Sequence, residues 1–235
     1  MTISRMRADP QIARAMSAHG WFHELAPAHQ AHVLARVRLQ HFAAGEVLAH
    51  RKAPTEDWIG VHTGLVKLAV YNAAGDSCTF SGVPAGGWFG EGSVLKRELR
   101  RYDVIALRAS DAIFLPVDDF HFLLDHSLPF SGFVIRQLNE RMGEFIAAIQ
   151  NQRLLSVEGQ VAAALSQLFN PQLYPFTAQR LELSQEELGL LTGLSRQRVN
   201  RALRELERLQ LLRLAYNRIE VLDLERLRAY AQRQI

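Results

Sequence analysis

The chain has 235 residues, 48% of them hydrophobic, and a formal net charge of +3. That length admits one large domain or two small ones. So mild a charge means that nucleic-acid affinity must come from local arginine clusters, not from a polycationic tail. The single cysteine, Cys78, excludes a disulfide framework and a four-cysteine metal or iron–sulfur site.

No apolar run is long enough to span a bilayer, and the first residues, with Arg5 and Arg7, lead into no apolar signal core. A soluble cytoplasmic protein is expected, with no membrane partner. In chain order, Glu24-Leu25 to Arg36 reads as a helix. From about residue 40 to 117 short β-type runs alternate with glycine-bearing turns: Val47-Leu48, Trp58–Val61, Gly64–Tyr71, Thr79-Phe80, Val104–Leu107 and Ala112–Leu115. Asn72-Ala73-Ala74-Gly75 reads as a hairpin turn. Many short strands at regular spacing predict a sandwich or barrel.

Within that region sits Gly86-Gly87-Trp88-Phe89-Gly90-Glu91-Gly92-Ser93-Val94-Leu95, followed by Arg97, Arg100 and Arg101. Backbone N–H groups at a glycine-rich turn and helix start attract an anion, and arginine offers a charge-assisted fork to phosphate. Further on, Ile135, Leu138, Met142, Phe145 and Ile149 alternate steps of three and four, an a/d seam over two heptads. Polar Gln137, Asn139, Glu140, Arg141 and Glu144 surround it. The seam suits either a helix packed on its own barrel or a parallel helix pair across a twofold axis, and hence a homodimer.

The C-terminal part carries the sharpest local signal. Ser184 with Glu187 is an S-x-x-E capping box. A helix then runs to about Leu191, Thr192-Gly193-Leu194 breaks it, and Ser195 can cap a second helix. There Val199, Ala202, Leu203, Leu206 and Leu209 make one apolar face, leaving Arg196, Gln197, Asn200, Arg201 and Arg204 outward. Arginine can pair with guanine, and glutamine or asparagine with adenine, across a major groove. Ser184, Gln185, Ser195, Arg196, Gln197, Asn200, Arg201 and Arg204 are therefore the candidate residues for double-stranded DNA. Arg208 suits phosphate, or an ion pair with Glu205 or Glu207. Leu211–Leu214 and Arg218–Val221 around Ala215-Tyr216-Asn217 read as a wing, in which Arg213 or Arg218 could touch phosphate.

Taken with Gly64-Leu65-Val66-Lys67, Phe89-Gly90-Glu91, Arg101 ten residues after Glu91, Gly159 and Ser195-Arg196-Gln197, the chain resembles the CRP/FNR family of dimeric transcription regulators from about residue 20 to 222. The resemblance implies an α+β fold: an N-terminal β-barrel of the cyclic-nucleotide-binding, jelly-roll type (1–127), a long dimerisation helix and hinge (128–156), and a C-terminal winged helix-turn-helix (157–235).

It also implies that Glu91 holds a ribose hydroxyl and Arg101 a cyclic phosphate, within a site of Gly90, Glu91, Gly92, Ser93, Arg100, Arg101, Tyr102, Arg141 and Phe145. Two positions depart from the family pattern. Tyr102 replaces a small hydroxyl residue, and Phe145-Ile146 replaces the polar pair that contacts adenine. Cyclic AMP, cyclic GMP or cyclic di-GMP is the expected effector, with a regulator that binds DNA without nucleotide as the alternative. Activation would also require a surface for RNA polymerase, which no residue pattern identifies.

His19/His23 and His29/His32 have helical pair spacing, but no third ligand accompanies them, so no metal site is expected. No nucleophile with a base and an orienting partner is recognisable. Gly90–Val94 is out of register for a G-x-S-x-G elbow, and no enzymatic role is expected. Cys78 reads as buried strand filler, not as a redox switch.

Overall fold

The computed structural model describes residues 9–74, 77–176, 180–215 and 217–233. Three short helices open the chain: α1 (Pro10–Met16), α2 (Gly20–His23) and α3 (Pro27–Leu34). The helix expected from Glu24 begins only at Pro27, which occupies the first turn where a missing N–H costs nothing.

Strands β1 (Arg38–Phe42), β2 (Val47–Ala49), β3 (Asp57–Thr63), β4 (Leu65–Tyr71), β5 (Ser77–Pro84) and β6 (Trp88–Phe89) follow. Next come α4 (Glu91–Lys96), β7 (Asp103–Ala106) and β8 (Ser110–Pro116). These strands form two antiparallel four-stranded sheets, ordered β1-β8-β3-β6 and β2-β7-β4-β5. The expected barrel is therefore a sandwich: no pairing among the described residues joins the two sheets, and edge strands as short as β6 and β2 cannot close a cylinder. In the hairpin turn, Ala74 N donates to Asn72 Oδ1 at 2.9 Å, while Gly75 lies outside the described residues.

The sandwich core contains Ile59, Val61, Val66, Leu68, Phe89 and Val104. A second cluster packs Trp21, Trp58, Trp88, Phe120 and Phe130 beneath it. Helices α5 (Val117–His126) and α6 (Leu128–Leu154) leave the sandwich. Along α6 two rows diverge. Phe130, Val134, Gln137 and Arg141 are buried, whereas Ile135, Leu138, Met142, Phe145 and Ile149 are exposed. The helix thus serves its own sandwich with one face and presents an apolar seam with another. No helix among the described residues is long and apolar enough to cross a membrane.

The C-terminal domain comprises α7 (Val157–Gln167), β9 (Arg180–Leu181), α8 (Gln185–Thr192), α9 (Arg196–Arg208), β10 (Leu212–Ala215), β11 (Arg218–Val221) and α10 (Leu224–Gln232). Strands β10, β11 and β9 form a three-stranded antiparallel sheet. The wing thus has its two expected strands plus a third, and Tyr216 at its turn lies outside the described residues. Val161, Leu188, Val199, Leu203, Leu206 and Leu227 form its core, which Leu65 of β4 joins.

Candidate nucleic-acid interface and sensor site

Local chemistry builds the helix-turn-helix. Glu187 N donates to Ser184 Oγ at 3.1 Å, and Ser184 N donates to Glu187 Oε2 at 2.6 Å, so both halves of the capping box are present. Gly193 takes φ 68°, a left-handed conformation that a side chain would strain, and ends α8. Ser195 accepts from Arg198 N at 3.4 Å at the start of α9.

Val199, Ala202, Leu203 and Leu206 are fully buried, which fixes the rotation of α9 and turns Arg196, Gln197, Arg201 and Arg204 to solvent. Asn200 is half-buried and donates to Gln185 Oε1 at 2.8 Å, tying α9 to the start of α8. Arg208 forks Glu205 at 2.6 and 2.9 Å. Arg213 pairs with Glu220 at 3.6 Å across the wing. Arg196, Arg198, Arg201 and Arg204 have no ion pair among the described residues.

The sensor cassette is the opposite case. Gly90, at φ 89°, lets the chain turn into α4, and a Cβ there would stand 3.4 Å from Arg100 Nη1. Glu91 is buried at the start of α4. Its Oε1 accepts from Arg141 Nε at 2.9 Å, and Arg141 Nη2 donates to Trp88 O at 2.7 Å. Burial works against the Arg141 charge, but Glu91 beside it outweighs that and its pKa lies above the ordinary range. Glu91 Oε2 has no hydrogen-bond partner among the described residues. Burial, helped by Glu91, pushes the Tyr102 hydroxyl up to about 12. Ser93 is buried and its N–H closes a turn onto Gly90 O at 3.1 Å, while the space beside Gly92 is open.

The two adjacent arginines divide. Arg100 N donates to Ala53 O at 2.9 Å and Lys52 N donates to Arg100 O at 2.8 Å. With its backbone pinned on both sides, the Arg100 side chain turns inward, is buried, and donates to Asp57 O at 2.8 Å. Burial lowers its pKa. Arg101 instead turns outward, with its side chain 68% exposed, and forks Glu98 at 2.8 and 3.0 Å. Arg101 thus lies outside the cassette, and Arg100 lies within reach of it. Phe145 stands with the seam. It is 40% exposed, at the edge of the seam, while Arg141 and Glu144 face inward.

Sequence reasoning missed two residues. Leu173 and Tyr174 of the C-terminal domain are buried in the core of the sensor sandwich. The Tyr174 hydroxyl donates to Glu144 Oε2 at 3.4 Å and lies 3.4 Å from Ser81 Oγ. The available signal was an apolar pair between two prolines, Pro171 and Pro175, in a segment with no helical or strand period.

His19 is buried and its Nδ1 accepts from Trp88 Nε1 at 3.0 Å. Burial, then His62, lowers its pKa to about 4, so it is a neutral core histidine at pH 7. No group of three metal-ligand side chains occurs among the described residues. Cys78 is exposed, contrary to its reading as buried filler.

A cyclic nucleotide-binding domain model matches residues 39–127, and a Crp-like helix-turn-helix domain model matches residues 159–230. The HTH-type transcriptional regulator Cmr of Mycobacterium tuberculosis is 29% identical over 255 aligned positions, covering 97% of this chain and 90% of that protein. The transcriptional regulator SdrP of Thermus thermophilus is 27% identical over 198, covering 81% and 93%. The crystal structure of TTHA1359, a CRP/FNR-family regulator from Thermus thermophilus, superposes with a TM-score of 0.62 at 25% identity, covering 84% of this chain and all of that one. With a sensor sandwich, a long helix and a winged helix-turn-helix in that order, the chain belongs to the CRP/FNR family of transcription regulators.

Proposed function

We propose that the protein is a homodimeric, sequence-specific DNA-binding regulator of the cytoplasm, gated by a small effector in its sensor sandwich. The observation that carries this reading is the outer side of α9, where Arg196, Arg198, Arg201 and Arg204 stand exposed, with no ion pair among the described residues, beside a capped helix pair. Free arginines on a rigid helix supply both phosphate neutralisation and base-edge contacts. The exposed seam of α6, 27 residues and about 40 Å long, supports the dimer.

The effector read from the cassette is a cyclic nucleotide, with Glu91 on the ribose and Arg100, in place of Arg101, on the phosphate. Selection from a random duplex pool tests the DNA reading. It should return two inverted half-sites about one helical turn, ~34 Å, apart. Recovery of unrelated sequences, or of single half-sites, would overturn it.

Two observations favour the second reading, a regulator that binds DNA without nucleotide: Glu91 is already engaged by Arg141, and Tyr174 already fills the sandwich. Calorimetric titration with cyclic AMP, cyclic GMP and cyclic di-GMP separates the two. Micromolar binding of one nucleotide, lost on Arg100→Ala, supports the gated reading. No heat from any of the three supports the second.

A further inference from the structure

We propose that Leu173 and Tyr174 form a latch. Seated in the core of the sensor sandwich, they hold the C-terminal domain against it, and whatever takes the pocket they fill releases that domain. The effector half of this inference rests on the gated reading above; the latch itself does not.

Three independent observations carry it. First, both residues belong to the C-terminal domain yet are buried in the sensor core, Tyr174 at 2% exposure. Second, the sandwich is cut to receive them. A Cβ on Gly87 would lie 2.8 Å from Tyr174 Cδ1, as well as 2.5 Å from Val83 Cγ1 of the sandwich itself, and one on Gly86 would lie 2.8 Å from Cγ of Phe176, two residues beyond the latch tyrosine. Any residue other than glycine at these two positions would push into the inserted rings. Third, the seat is polar where the tyrosine is polar: its hydroxyl meets Glu144 and Ser81, and Asn170 Nδ2 donates to Glu144 Oε1 at 3.3 Å.

The docked domain then makes contacts that exist only while the latch is in. Leu191 of α8 fills the space left by Gly82 of β5, where a Cβ would lie 2.8 Å from Leu191 Cδ2. Arg108 of the sensor pairs with Glu187 at 2.7 Å. Glu187 is the capping-box glutamate, so one carboxylate oxygen starts the first DNA-binding helix while the other ties it to the sensor. Pocket, latch and helix-turn-helix form one connected set of contacts, and a ligand gains leverage over DNA binding by its differential affinity for the open pocket.

Hydrogen exchange on the full-length chain and on Tyr174→Ala and Tyr174→Phe tests the latch directly. In Tyr174→Ala, amides of 185–192 and 80–84 should exchange at least ten-fold faster than in the unaltered protein. Tyr174→Phe, which keeps the ring and loses only the hydroxyl, should show a smaller increase, and serves if the alanine variant fails to fold. Unchanged exchange in a folded variant would overturn the latch.

Titration of the same proteins with cyclic AMP, cyclic GMP and cyclic di-GMP adds the effector arm. A nucleotide that binds Tyr174→Ala at least ten-fold more tightly than the unaltered chain supports competition for the pocket. Equal affinity for both overturns it. Faster exchange with no nucleotide bound by any form supports the latch and removes the cyclic-nucleotide reading alone.

Discussion

Two arginines of the sensor core and four on the outer side of α9 are handled in opposite ways. Arg100 and Arg141 are buried and hydrogen-bonded to Asp57 O, Glu91 and Trp88 O. Arg196, Arg198, Arg201 and Arg204 are exposed and carry no ion pair among the described residues. Buried charge is tolerable only when paired or hydrogen-bonded, so the sensor core has committed these two cations internally. Exposed unpaired cations are disposed for an anionic partner. The DNA-facing end is ready, whereas the sensor end is filled by its own chain.

Breaking the buried set should have the largest effect. Arg141→Met strands the Glu91 carboxylate and is expected to cost about 3–5 kcal/mol, read by urea unfolding through the buried tryptophans Trp21, Trp58 and Trp88. Adding Glu91→Gln should recover part of that loss; no recovery would mean that Arg141 acts by packing alone. Next in size, Arg201→Ala should weaken binding to a selected operator by about 1–3 kcal/mol. Its stability should stay within about 0.5 kcal/mol, as for ordinary surface changes. An equal loss of both would deny that this face is specialised for a partner.

Ser184→Ala removes half of the capping box and should cost about 1 kcal/mol in thermal or urea unfolding of the C-terminal domain. The smallest effect concerns pH. Burial, partly offset by Arg141, Asn170 and Tyr174 and reinforced by Glu140, raises Glu144 to about 7. Its docked form therefore prefers the proton. The associated stability is fully present below the ordinary carboxylate value near 4.5 and is lost as pH rises through about 7. Discounted for the partial exposure of Glu144, this is on the order of 1 kcal/mol. Glu144→Gln should flatten the pH dependence of amide exchange at 185–192; an unchanged profile would assign it elsewhere.

What the sequence made legible follows from how local each determinant is. Ser184, Glu187, Gly193 and Ser195 each find their bonding partner within four residues, and the helix pair they specify stands where their chemistry puts it. Glycine spacing and Glu91 located the cassette. Which arginine enters it was not legible, because Arg100 and Arg101 are chemically identical neighbours. Only the hydrogen bonds of Arg100 to residues 52 and 53, far away in sequence, decide the matter.

The exposed row of α6 showed as an apolar period, but the buried row, Phe130, Val134, Gln137 and Arg141, ends in polar types that pattern reading assigns to solvent. The seat of Tyr174 beside Gly87 joins residues with no periodic relation at all.

The most direct measurement is the salt dependence of duplex DNA binding for the unaltered protein and for the combined Arg196→Ala, Arg201→Ala and Arg204→Ala variant. Each phosphate-contacting arginine releases about one counterion. If α9 is the DNA-binding face, the slope of log affinity against log salt should become shallower by up to about three, with weaker binding at every salt concentration. Parallel lines of equal affinity would place DNA binding elsewhere on the molecule and contradict the account.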